Sequence, residues 1–123
     1  MTRSVVLAAA AVIALGSIAV GCSAEPDPIR IAVLADCNGV FGFAYESSVA
    51  GAELPLLSRG GRLAGAVPSA GVTGARVASR PVELDVVCLS GLPKEDTLAA
   101  RRAVEIGGAD IVIGPTFGTS GFV

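Results

Sequence analysis

The feature that most limits how this chain can fold is a repeated change of hydrophobic period along residues 29–113. Apolar runs of strand length at residues 29–35, 81–89 and 111–113 alternate with segments patterned as helices. The first run is almost continuously apolar and suits a buried parallel strand. In the second, Val82, Leu84 and Val86 alternate with Glu83 and Asp85 before an apolar end at Val87, Cys88 and Leu89, so its start is expected to be the more exposed part. A helix is expected over residues 44–58, stopped by Arg59, Gly60 and Gly61, with a break near Glu53 because Pro55 removes a backbone donor. Residues 62–79, rich in Gly, Ala and Ser and containing Pro68, read as a long surface connection. Pro93 opens a second helix, and Glu95 and Asp96 suit its positive end. Ala99, Ala100, Ala103, Val104 and Ile106 fall on one side of that helix and Arg101, Arg102 and Glu105 on the other, before Gly107 and Gly108 stop it.

The order strand, helix, strand, helix, strand, joined by right-handed crossovers, defines an α/β fold: a partial doubly wound parallel sheet in spatial order 2-1-3. In such a sheet a crevice opens between the carboxyl ends of strands 1 and 3, where ligands of these folds bind. The segments at that crevice are residues 36–45 and 114–121.

The amino-terminal segment is of another kind. A short basic start at Thr2 and Arg3 precedes residues 5–20, which carry no charge, as in a signal-peptide helix. The run stops at Gly21, short of the about 20 apolar residues that a spanning helix needs. Ala19, Val20, Gly21 and Cys22 resemble a lipobox, although leucine usually stands where Ala19 does. Three parts are therefore expected: a lipoprotein signal peptide over 1–21, a lipidated tether over 22–28 stiffened by Pro26 and Pro28, and one small domain over 29–123. Cys22 would receive membrane lipid and hold the chain on the outer face of the cytoplasmic membrane; ordinary cleavage with Cys22 as a free thiol is the alternative.

Cys37 and Cys88 then remain as a pair in an oxidising compartment and are expected to form a disulfide, against two free thiols or half a metal site. The chain has no histidine, which weakens the metal reading, and neither metal nor cofactor is expected. Its 9 basic and 11 acidic side chains are spread along the length, without the clustered basic face that nucleic acid requires.

Several stretches together resemble the type I periplasmic-binding-protein family, in particular the leucine-binding-like lipoproteins that serve ABC transporters. Residues 29–34 with Asn38 and Gly39 resemble the family's first strand and turn. Gly51 and Ala52 with Gly60 and Gly61 resemble its first helix and exit, and residues 110–115 resemble its third strand and following turn. The resemblance implies a small-molecule ligand, an amino acid above all, and an ABC permease as partner. Carried over residue by residue, it implies ligand contacts at Phe117, Gly118 and Thr119, with Phe41, Ala44 and Tyr45 across the crevice. Backbone N–H groups of the glycine-containing turn, with the Thr119 and Ser120 hydroxyls, can bind a carboxylate. Phe41 or Tyr45 can wall an apolar pocket. Thr119 or Ser120 can equally cap a helix, and Glu46 is read as a helix-dipole partner outside the site. Family members have two lobes, so the resemblance also implies that residues 29–123 are an incomplete first lobe, with weak or no binding alone. A sensor module of the same fold and a non-binding remnant stay open as alternatives. An exported enzyme is disfavoured: there is no G-x-S-x-G elbow or P-loop, and Lys94 reads as a solvated helix-start lysine.

Overall fold

The computed structural model describes residues 25–115. Its strands are β1 (Ile29–Asp36), β2 (Arg62–Leu63), β3 (Val72–Thr73), β4 (Arg76–Val77), β5 (Arg80–Leu89) and β6 (Ile111–Ile113). Its helices are α1 (Tyr45–Leu57) and α2 (Pro93–Glu105), with short 3-10 turns at Gly39–Ala44 and Pro68–Ala70. The main sheet runs β4-β5-β1-β6. β1 pairs in parallel with β5 from Ile29↔Val82 to Asp36↔Leu89 and with β6 from Ile31↔Ile111 to Val33↔Ile113. The three long apolar runs therefore take the expected order, second beside first beside third. β4 adds an antiparallel edge, so the sheet is mixed rather than wholly parallel.

β1 is central because it is apolar on both faces: Ala32, Val33, Leu34 and Ala35 are all buried. On one face Leu56, Val72, Ala75 and Val82 form a core, with Ile29, Ile31 and Leu84 packed against it. α2 covers the opposite face, and its Ala103, with Gly107 in the turn after it, lines a cleft together with Ala32 and Asp85.

Three expectations need correction. α1 does not break near Glu53 but continues through Pro55 to Leu57. Pro55 stands in the last turn, where only one ladder bond is lost. The buried side chain of Leu56 anchors the turn, while the Pro55 carbonyl accepts from Ser58 Oγ (2.9 Å) and Arg59 Nη1 (3.0 Å).

Residues 62–79 are not an irregular connection. β2 and β3 pair antiparallel, β4 pairs with β5, and Val72 and Ala75 enter the core. The 3-10 turn at Pro68–Ala70 is clamped to α1, since the Ser69 N–H and Oγ donate to the Glu46 carboxylate at 2.9 and 2.7 Å. That gives Glu46 a structural task.

The buried face of α2 is also narrower than its pattern suggested. Asp96 and Ala103 are buried, whereas Val104 and Ile106 are exposed. β6 is an edge strand among the described residues, so Val112 beside Val104 has no cover from a further strand on its outer side.

Residues 25–28 are attached to the domain. Arg76 pairs with Glu25 at 3.0 Å, and Arg80 donates to the carbonyls of Asp27 and Pro28 at 2.9 and 3.3 Å.

Gly114 turns the chain out of β6 with φ +105°, and a Cβ there would run into the Leu34 carbonyl oxygen. Gly114→Ala is expected to lower stability by about 2 kcal/mol, because it adds both a left-handed backbone cost and a backbone clash. Urea unfolding measures this as a lower midpoint at unchanged slope.

Candidate functional site

The site is assembled at the carboxyl ends of β1, β5 and β6. β1 ends at Asp36, and the chain then passes through Cys37 and Asn38 into the 3-10 turn that leads to α1. Cys37 and Cys88 form a disulfide with their Cα atoms 5.3 Å apart, so the ends of the two neighbouring strands are tied together. The Cys37 N–H donates to the Leu89 carbonyl at 3.2 Å, which carries the pairing one residue past β1. The Asn38 amide lies over the bridge, with Nδ2 at 3.2 Å from Cys37 Sγ.

Of the residues expected to contact ligand, Phe41 lies on the 3-10 turn with 38% of its surface exposed. Ala44 is buried, and its carbonyl accepts from Ser47 Oγ at 2.9 Å. Ala44 therefore shapes the backbone here rather than offering a side chain. Tyr45 opens α1 half-buried, and burial, aided by the adjacent Glu46 charge, pushes its phenol above the ordinary 10.0. It stays a neutral hydroxyl at physiological pH. Phe117, Gly118 and Thr119, and Cys22, the expected lipidation site, lie outside the described residues.

The residue that sequence reasoning passed over is Asp36, taken there as turn chemistry. It is 4% exposed, and its buried Oδ2 has no hydrogen-bond partner among the described residues. An acid closing an apolar strand was the available signal. Across the next loop, Asp96 does have partners: its Oδ1 accepts from the Ser90 N–H at 2.8 Å and from Ser90 Oγ at 3.2 Å, which fixes the turn into α2. The two acids thus differ, one holding a turn and the other carrying unused acceptor capacity.

A concavity of about 290 Å³ lies toward the opposite end of the strands, between α2 and the sheet. Its charged lining is Arg30, Glu83 and Asp85. Arg30 is already engaged there, to Glu83 at 3.1 Å through its side chain and to Asp110 Oδ2 at 2.9 Å through its N–H. Among the described residues no group of three or more acidic or thiol side chains is placed to hold a metal ion. No described helix is long and apolar enough to cross a membrane.

Comparison with protein-family models, with curated proteins and with solved structures finds no match to this chain.

Proposed function

We propose that this chain is an exported, lipid-anchored ligand-binding protein of the leucine-binding-like kind, which takes an amino acid and delivers it to an ABC permease. The observation that carries the reading is Asp36, a buried acid at the last residue of the central strand with an oxygen that has no partner among the described residues. Leaving such an oxygen without a partner costs about 1–3 kcal/mol, so a fold that retains it there is suited to a ligand that supplies the missing donor. An α-ammonium group is such a donor. The strand order supports the same place, because β1 lies between β5 and β6, and in open sheets of this order ligands bind at the carboxyl ends of the strands where the order reverses. Phe41 and Tyr45 stand on the segment leaving β1 and would meet the apolar part of the ligand.

Isothermal titration of the purified chain against amino acids, each paired with its deaminated analogue, tests the reading. A charge-assisted hydrogen bond contributes about 1.5–3 kcal/mol, so the amine-bearing member is expected to bind roughly 10- to 100-fold more tightly. Asp36→Asn is expected to abolish most of that preference. Equal affinity for an amino acid and its deaminated analogue would reject the reading, and a preference unchanged in Asp36→Asn would remove Asp36 from it. Anchoring is tested separately: an alkyne-bearing fatty acid fed to the producing cells is expected to label the chain, and Cys22→Ser to lose the label.

A further inference from the structure

We infer that the amino-terminal edge of the sheet, at the β4–β5 turn, is the surface this protein lays against the lipid headgroups, and that the carboxyl-terminal edge points away from the bilayer. The inference rests on the lipidation of Cys22 proposed above.

Its structural basis is the set of contacts that hold residues 25–28. Arg76 at the start of β4 binds the Glu25 carboxylate, and Arg80 at the start of β5 holds the carbonyls of Asp27 and Pro28. These contacts lie at the end of the sheet where β1 begins, because Ile29 pairs with Val82. Cys22 precedes Glu25 by three residues. At 3.8 Å between successive Cα atoms, an acyl chain on Cys22 starts no more than about 11 Å from Glu25. The domain therefore does not swing on a long leash, and the distance available brings the Ala78–Ser79 turn to the headgroups.

β1 then runs 8 residues away from that end. At 3.3 Å per residue, Asp36 and the segment after it stand about 23 Å farther from the lipid than Ile29 does. The exposed apolar residues Val40 and Phe43 of the 3-10 turn are thereby held off the bilayer. Near the lipid stand Arg76, Arg80 and Arg30 together with Glu25, Asp27, Glu83 and Asp110. These charges have mixed sign, so the short attachment sets the orientation and attraction to anionic lipid does not.

The chain contains no tryptophan, so one introduced indole reports one position. Ser79 is exposed and already carries a Cβ at its positive φ of 67°, so Ser79→Trp adds no new backbone penalty. Val40, 81% exposed, provides the probe at the other edge. Lipidated chain, verified by mass, is placed in phosphatidylcholine vesicles containing a headgroup-labelled dansyl lipid. Energy transfer from Ser79→Trp is expected to exceed that from Val40→Trp several-fold. Adding Arg76→Ala and Arg80→Ala is expected to shrink the difference. Equal transfer from the two positions, or stronger transfer from Val40→Trp, would overturn the inference, as would a difference that survives loss of both arginines. A chain whose mass shows no lipid on Cys22 would instead overturn the anchoring reading, and this orientation with it.

Discussion

Replacing both Cys37 and Cys88 with serine is expected to lower the stability of the fold by about 4 kcal/mol. The bridge closes a loop with a sequence separation of 51 residues, and a cross-link of that span removes a large part of the unfolded chain's freedom. The folded state holds the two positions at bridging distance without help, since Ala35↔Cys88 and Asp36↔Leu89 are neighbours in the β1–β5 register. The loop so closed contains α1 and the short hairpin strands, that is, most of what packs on one face of the sheet. A domain of this size has about 5–15 kcal/mol in all, so the loss is a large share of the total. Urea unfolding with and without a reducing agent measures it, and the serine variant should match the reduced protein. Equal midpoints for the oxidised and reduced chain would show that the bridge does not matter to the fold. A fold that leans this heavily on a disulfide suits an oxidising compartment, in line with the export proposed from residues 1–22.

The second large effect has the opposite sign. Glu53→Leu is expected to raise stability at pH 7 by about 2–3 kcal/mol, or roughly 10 °C in Tm for a domain of this size. Glu53 is 1% exposed, and neither carboxylate oxygen has a hydrogen-bond partner among the described residues. It shares the inward face of α1 with Val49 and Leu56, so leucine fills the same space without a charge to desolvate. Burial, and secondarily the Glu46 carboxylate, push its pKa above the ordinary 4.5. The unfolded chain therefore releases this proton at a lower pH than the folded one. The stability tied to the neutral form is complete below the unfolded value and is lost as pH rises through the folded one. The wild type should consequently lose stability from about pH 4.5 upward over that window, and Glu53→Leu should flatten this part of the profile. Thermal unfolding across pH gives the comparison. A variant with an unchanged or lower Tm at pH 7 would mean that Glu53 has a partner that offsets its burial.

β5 and the helices were legible because each carries enough residues to show a period, and β1 and β6 because they are unbroken apolar runs. β1, β5 and β6 are apolar runs with turn residues after them, and their order follows from crossover handedness. The small strands β2, β3 and β4 were not legible. Two residues have no period, and their hold on the core is single side chains such as Val72 and Ala75. Glu53 could have been found, since it stands four residues after Val49 and three before Leu56, on the stripe that faces inward. The exposure of Val104 and Ile106 could not, because the pattern of a helix tells which side is apolar but not how much of that side the sheet covers. At the candidate site, the carboxyl-end location and the 3-10 segment with Phe41, Ala44 and Tyr45 came from topology and resemblance. The buried state of Asp36 required coordinates, because a strand-ending acid reads equally well as a solvated turn residue.

The central claim is that ligand is taken at the carboxyl end of β1. Amide NMR of the purified chain, titrated with amino acids into the millimolar range, tests it most directly because it detects weak binding and locates it. The predicted result is a set of saturable shifts over residues 36–45, absent in Asp36→Asn, with the amides of Arg30, Glu83 and Asp85 unmoved. Saturable shifts confined to the Arg30, Glu83 and Asp85 cleft, or shifts over residues 36–45 that persist in Asp36→Asn, would contradict it.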